Sequence, residues 1–381
     1  MAIEKVIPLV LFIAIGYALR GKFQKPVAVG AIKTLIINAL LPAALFLSTI
    51  KIDISQGLLS LPAFGLAINV FLLGIGWLLT GLVIHSKEKA KARSLILMFA
   101  SLAPGLTVYP FTQEFLGEQG LALAGLVDVG NKCFVLIGLY ALAMYLHQRT
   151  VDTSHINFSK FKTIGLTLIQ EPANLALLLG LSIGALNLGN TLIPEIVLQA
   201  LERLAACTTP MILFFVGISL KPKTLQLRKI LLILLVRSAA GFWFSAAVLI
   251  LFKPDTLAEK LIAVVLPQSG CSLWPLLYAS QINMLDQEQY RRTHPTFDTE
   301  FALGLLTTSI PISIGINLII FSNSAFFILP SHLGLVGSIF LILFSIVKGI
   351  NRESGIGNRE SGIGNRESGI GNRESGRENR E

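Results

Sequence analysis

SLAPGLTVYPF, residues 101–111, and LPQSGCSLWPLLY, residues 266–278, are two apolar stretches that each carry two prolines and a glycine. Each lies inside a run long enough to be a membrane helix, and the reading of the chain turns on what those prolines do. Pro104, Pro110, Pro267 and Pro275 each remove a backbone donor and clash with the preceding turn. Gly105 and Gly270 let the chain unwind beside them. Unwound backbone at bilayer depth is tolerated only where it is enclosed by protein or lines a wet cavity. One such helix alone reads as an ordinary proline kink. A symmetry-related pair reads as two broken helices around a cavity, whose half-helix N-termini offer amide donors and partial positive charge to an anionic group.

The composition supports a bilayer setting. Of 381 residues, 53% are hydrophobic and 14% charged, and mean hydropathy is +0.70. Soluble domains carry about 25% charged residues. Disorder over the whole chain is excluded, because disorder needs low hydrophobicity. Crossing ~30 Å of hydrocarbon takes about 20 apolar helical residues. Ten stretches qualify: 3–19, 27–48, 61–84, 94–116, 120–146, 163–186, 197–220, 230–252, 258–280 and 297–321. The first, with Glu4 and Lys5 ahead of it and no small-residue cleavage pattern, reads as a retained helix rather than a signal peptide.

The net charge of +9 has a topological explanation. Loops following odd-numbered stretches hold Arg20, Lys22, Lys25, Lys87, Lys89, Lys91, Arg93, Arg149, Lys160, Lys162, Lys221, Lys223, Arg228, Lys229, Arg291 and Arg292. The opposite side holds Lys5, Lys51, Lys253 and Lys260. The positive-inside rule puts the first set in the cytoplasm and the N-terminus outside, in the plasma (inner) membrane. A nucleic-acid partner thereby loses its support.

The two halves share punctuation. Pro8 and Gly16 match Pro172 and Gly180, PAALF (42–46) matches PMILF (210–214), Trp77 matches Trp243, and Pro104 and Pro110 match Pro267 and Pro275, all at offsets of 163 to 168. Five spans per copy is odd, so the second copy enters from the opposite face, the inverted repeat of secondary transporters. The expected architecture is an all-α polytopic membrane protein of ten transmembrane helices: residues 1–146 as the first repeat, 147–162 as a short cytoplasmic linker and 163–321 as the second, inverted repeat. Residues 322–350 add an apolar segment, in which 325–347 is either an eleventh span or an interfacial helix. In 351–381 NRESGIG recurs, with Arg and Glu cancelling; this is a low-complexity, disordered tail.

Candidate substrate-binding residues follow from the broken pair: Pro104, Gly105, Thr107, Tyr109 and Pro110 from one, Pro267, Gln268, Ser269, Gly270 and Ser272 from the other. Trp274 and Tyr109 can pack on an apolar or aromatic body. Asn38, one turn before Pro42, is a cavity wall or a packing hydrogen bond. Charged residues inside spans are read as functional by default. Asp128 sits ~12 Å from the outer end of its stretch, and Lys132, four residues on, shares its face. With Asn131 they form a site for proton or ion coupling, or a self-neutralised pair that permits burial. Lys33 and Arg237, about two turns from cytoplasmic ends, read as snorkelling, and Glu171 and Arg203 as interfacial.

Enzyme signatures are missing: no HExxH, no GxSxG and no GxxxxGK(S/T) occurs, so ATP-driven transport by this chain alone is excluded. Cys133, Cys207 and Cys271 lie in or beside apolar runs without a CxxC and read as packing residues. No cofactor or metal is expected.

IPLVLFIAIGYALRGKF (7–23), IINALLPAALFLSTI (36–50), CTTPMILFFVGISLKPK (207–223) and LPQSGCSLWPLLY (266–278) resemble the first, second, seventh and ninth helices of the auxin efflux carrier family. The resemblance covers roughly residues 3–320. It implies a ten-helix inverted repeat, a site at the crossing of broken helices 4 and 9, Pro110 and Pro267 as the crossover prolines, and carboxylate substrates such as auxin or dicarboxylates. Two features depart from the family: Ala103 stands where Asn is common, and the two prolines of the ninth stretch are further apart. The short 147–162 loop points to a bacterial-type carrier.

The expected function is a secondary carrier exporting or exchanging a small organic anion. Export down an inside-negative potential gains about 2.3 kcal/mol per charge per 100 mV and needs no coupling ion. The alternatives are a non-transporting receptor or scaffold, a channel, or an intramembrane enzyme using Asp128. Substrate identity, flux direction and oligomeric state, a homodimer included, stay open.

Overall fold

The computed structural model describes residues 2–23, 26–50, 60–84, 88–151, 172–186, 193–219, 226–288 and 295–348. The expected linker beyond Val151, the start of the sixth stretch, Glu171 and the 351–381 tail lie outside the described residues. So do Lys25, Lys51, Lys87, Lys160, Lys162, Lys221, Lys223, Arg291 and Arg292 of the charge tally.

Among the described residues every regular element is helical. Helix α1 spans Ala2–Leu19. α2 (Pro26–Leu35) runs through a π-turn (Ile36–Leu40) into α3 (Leu41–Ile50). Pro42 explains the wide turn: it cannot donate to the carbonyl four residues back and its ring crowds that group, so the helix loosens just ahead of it. α4 is Ser60–Val83. α5 (Lys89–Phe99) stops, and after residues 100–103 the chain resumes as the single turn α6 (Pro104–Thr107) and then α7 (Tyr109–Cys133). Gly117, with φ 67°, bends α7 sharply; any side chain would be strained there. This corner separates the fourth expected stretch from the fifth. A second π-turn (Phe134–Gly138) leads into α8 (Leu139–Val151).

α9 is Pro172–Ala185, α10 Glu195–Ser219 and α11 Leu227–Phe252, which ends on Lys253 in the left-handed region. A capping box, Thr256 with Glu259, opens α12 (Leu257–Val265). A 3₁₀ turn (Leu266–Gln268) follows, the chain unwinds over 269–273, and α13 (Trp274–Glu288) restarts it. Asp298 caps α14 (Thr299–Ser322) by accepting from the Phe301 amide. The short α15 (Ser324–Phe327) precedes α16, Pro330–Lys348.

Among the described residues seven helices are long and apolar enough to cross a membrane: Val27–Ile50, Ser60–Val83, Tyr109–Thr150, Glu195–Ser219, Leu227–Phe252, Thr299–Ser322 and Pro330–Lys348. The last is the apolar segment read as either a span or an interfacial helix. The other expected stretches appear as α1, as α9 and as the two rods interrupted at 100–103 and 269–273. The rods are not continuous helices because each interruption removes intrahelical partners that proline cannot replace.

Small residues set the packing, as expected where helices associate by close approach. A methyl added at Gly16 of α1 would fall inside the Phe214 carbonyl of α10, and one at Gly217 of α10 inside the Ile13 carbonyl. A methyl at Gly180 of α9 would meet Thr49 Oγ1 first and then the Phe46 carbonyl of α3. Gly65 of α4 and Gly130 of α7 lie against the Val127 and Pro62 carbonyls. Outer faces are apolar: Leu66, Val70, Trp77, Leu78 and Leu82 of α4 are all exposed. In water such a face would be an association hazard; against acyl chains it is a solvated surface.

Candidate functional site

The two interruptions meet. The Ala103 amide donates to the Gly270 carbonyl at 2.8 Å. The Gly270 amide donates to Thr107 Oγ1 at 3.2 Å and the Ser272 amide to Ser101 Oγ at 3.0 Å. The Cys271 amide donates to Ser309 Oγ of α14 at 2.9 Å. Buried backbone groups freed by a helix break need partners, and each break here finds many of them on the other. Thr107 Oγ1 in turn donates to the Ala103 carbonyl at 2.9 Å.

α14 closes the third side. Ser309, Ser313 and Asn317 are four residues apart and so share one face. The Ser313 hydroxyl donates to the Gln268 carbonyl, and Asn317 Nδ2 to the Thr107 carbonyl at 2.8 Å. All three are buried. Their spacing in an otherwise apolar helix was the sequence signal that could have found them.

Arg237 of α11 sits between the breaks. Its Nε donates to the Phe99 carbonyl at 3.2 Å, Nη2 to the Ser101 carbonyl at 2.9 Å, and Nη1 to the Ser269 carbonyl. These are carbonyls left over where α5 ends and where the 3₁₀ turn after α12 ends. Arg237 is 4% exposed, so the snorkelling expectation is corrected. α11 begins at Leu227, three residues before the expected stretch, so Arg237 lies ~15 Å along it. Its head is held inside the bundle by those three carbonyls rather than reaching for water.

Other expected residues are placed as follows. Pro104, Thr107, Tyr109, Pro110, Pro267, Gln268, Ser269, Gly270 and Ser272 are buried at or beside the meeting point, and Gly105 is half-buried against Leu41. Gln268 Nε2 donates to the Ser238 carbonyl at 3.0 Å and packs over Gly241 of α11. Tyr109 Oη donates to Asp128 Oδ2 at 2.8 Å. Trp274 lies against Tyr278, ring centroids 6.4 Å apart. Asn38 is exposed on the π-turn and is not among the residues bonded to the breaks. Arg203 is exposed, as an interfacial residue would be. The amides of residues 270–272 are not bare, as the sequence reading had them: hydroxyl oxygens of Thr107, Ser309 and Ser101 accept from all three.

The Asp128 group forms a second polar knot. Asn131 Nδ2 donates to Asp128 Oδ1 at 2.7 Å and reaches the Leu102 carbonyl at 3.3 Å. Lys132 Nζ is 3.6 Å from Asp128 Oδ2 and donates to Asn174 Oδ1 of α9 at 3.0 Å. Asp128 and Lys132 thus lie within ion-pair distance, and through Asn131 the group touches the first interruption.

The sequence did not reveal a third buried group. His147 Nδ1 of α8 lies 3.3 Å from Asp286 Oδ1 of α13 and 3.2 Å from Thr296 Oγ1. The Thr296 amide donates to Asp286 Oδ2 at 2.8 Å, and Arg93 Nε to the Thr296 carbonyl at 2.7 Å. These contacts bind α5, α8 and α13 at one end of the bundle. Nearby, a cavity of about 390 Å³ is lined by Asn283, Phe297, Asp298 and Glu300, among others. At the same end Glu88 pairs with Lys91 at 2.7 Å and Lys229 at 3.2 Å. The hydrogen bond from Lys91 holds the Glu88 carboxyl below the ordinary range; burial opposes it, and the hydrogen bond from Lys229 adds to the lowering.

Among the described residues no group of three or more His, Cys, Asp or Glu side chains could hold a metal. Cys133, Cys207 and Cys271 are free thiols.

An uncharacterized transporter of Methanocaldococcus jannaschii is 26% identical over 200 residues, 51% of this chain and 61% of that protein. The match thus spans less than two thirds of that relative's length. The family model described as Membrane transport protein matches residues 1–284, including both interruptions. The chain is a multi-pass integral membrane protein and belongs to the membrane transport protein family.

Proposed function

We propose that this protein is a secondary carrier that moves a small organic carboxylate anion across the plasma membrane by alternating access at the meeting of the two interrupted helices. The observation that carries this is the direct pairing of the breaks at Ala103 and Gly270. Backbone polar groups are costly in a bilayer unless protein or a cavity satisfies them. A fold that breaks two helices and satisfies each with the other holds a polar centre that neither helix needs for spanning.

An inverted ten-span repeat is the architecture this function uses, with 1–146 and 163–321 as its halves and the N-terminus outside. Two contacts support it. Gly16 of α1 packs on the Phe214 carbonyl of α10, and Gly180 of α9 packs on the Phe46 carbonyl of α3. Gly16 and Gly180 are counterparts in the repeat, and so are Phe46 and Phe214. Exchanging the halves turns one contact into the other, as a two-fold axis in the membrane plane requires. Alternating access then follows from two near-equivalent arrangements of one half against the other. The hydroxyls on the amides of Gly270, Cys271 and Ser272 can rotate away, and a carboxylate can take their place.

The test is flux of radiolabelled carboxylates into proteoliposomes. Saturable flux that falls in the Pro110→Ala, Pro267→Ala double variant supports the site. Flux untouched by both substitutions removes it, and conductance far above carrier turnover makes the protein a channel instead.

A further inference from the structure

Arg237 has a property that its three hydrogen bonds leave unexplained. It is a cation buried inside the helix bundle, and its partners are the neutral carbonyls of Phe99, Ser101 and Ser269. Among the described residues no carboxylate lies within ion-pair distance of it; the buried Asp128 is already matched by Lys132. A buried charge without a counter-charge is expensive, and proteins hold one chiefly where a partner arrives. The guanidinium has five N–H donors, so three bonds leave one N–H on each terminal nitrogen. Two such donors fit the two oxygens of one carboxylate.

We infer that Arg237 is the counter-charge of the transported anion and sets the carrier's preference for a carboxylate over a neutral molecule of the same shape. This rests on the carrier reading above and adds the group that recognises charge. The surroundings fit. Ser101 accepts from Arg237 through its carbonyl and from the Ser272 amide through its hydroxyl. The guanidinium is thus one residue away from the amides of Gly270, Cys271 and Ser272. When the two halves part, the first half withdraws the Thr107 and Ser101 hydroxyls from the Gly270 and Ser272 amides and the Phe99 and Ser101 carbonyls from the guanidinium, which leaves two amides and guanidinium N–H groups around one space, all of them donors. The neutral carbonyls hold Arg237 in place between turnovers, and the incoming anion supplies the missing charge.

The experiment uses the full-length protein in proteoliposomes, with radiolabelled succinate and indole-3-acetate as probes and melting temperature in detergent measured alongside. Arg237→Lys keeps the charge but loses the planar fork. Its KM for the transported probe is expected to rise roughly ten- to hundredfold, the worth of a hydrogen bond to a charged group, with little change in maximal rate. Arg237→Gln is expected to lose saturable flux. An unchanged KM in Arg237→Lys, with only maximal rate or melting temperature lowered, assigns Arg237 to holding the helix ends and overturns the inference. A second readout needs no variant. Succinate is expected to raise the melting temperature of the unaltered protein and succinamide to leave it unchanged; equal stabilisation by both overturns the inference. No saturable flux of either probe by the unaltered protein overturns the carrier reading, and the inference with it.

Discussion

In the proposed repeat, α4 and α11 are counterparts, with Trp77 and Trp243 at matching positions, yet they live in different surroundings. Of the most apolar stretch of α4, 28% is buried, against 72% of that of α11. α4 touches the bundle along a glycine seam against α7 and shows its other face to lipid. α11 carries Arg237, Ser238 and Gly241 into the second interruption, and α16 covers its outer side, with Gly337 pressed on Trp243 and Phe340 near Phe242. The halves can share a fold without sharing chemistry. The buried charges beside the first interruption are Asp128 and Lys132 on α7, within ion-pair distance of each other; the one that α11 brings to the second is Arg237, with no carboxylate within ion-pair distance among the described residues.

The largest effect should come from unbalancing the neutral pair. Asp128→Asn removes the carboxylate that Lys132, Tyr109 and Asn131 share and should cost about 3–5 kcal/mol, as broken buried pairs do. Melting in detergent should show the loss, and Asp128→Asn with Lys132→Gln should recover much of it. If the single substitution is silent, the pair is not buried as the geometry has it. Next come the seams. Gly130→Ala drives a methyl into the Pro62 carbonyl, a backbone atom that cannot step aside, and should cost about 3 kcal/mol. Gly241→Ala meets the movable tip of Gln268 at 2.6 Å. It should cost about 1 kcal/mol in stability while lowering transport more than Gly130→Ala does per unit of stability lost. The reverse ranking would mean that α11 does not control the second interruption.

The smallest effect concerns Glu88, which links the start of α5 to that of α11. Its carboxyl is held below the ordinary range, so its stabilisation is fully present above the ordinary carboxylate pKa. It fades as pH falls through the lowered folded value. Glu88→Gln should cost about 0.5 kcal/mol at neutral pH and nothing in acid, read from melting temperature against pH.

Much of this was legible because hydropathy and proline act locally. Long runs marked α4, α10, α11 and α14, and paired Pro and Gly marked both interruptions. The contacts that fill the breaks were not legible. Arg237 reaches carbonyls 138, 136 and 32 residues away in sequence, partners that no local pattern around it announces. His147 and Asp286 are likewise brought together only by the tertiary fold. Ser309, Ser313 and Asn317 could have been noticed, since their helical spacing is a local signal. Asp128 and Lys132 were found for that reason.

The central claim is that two broken helices, one from each inverted half, meet and hold the anion. A cryo-EM structure in lipid nanodiscs with succinate tests it most directly. The account predicts chain unwound at 100–103 and 269–273 with the breaks facing each other, the two halves threading the membrane in opposite directions, and anion density beside Arg237. Continuous helices through Ala103 or Gly270, parallel threading of the halves, or succinate bound elsewhere would contradict it.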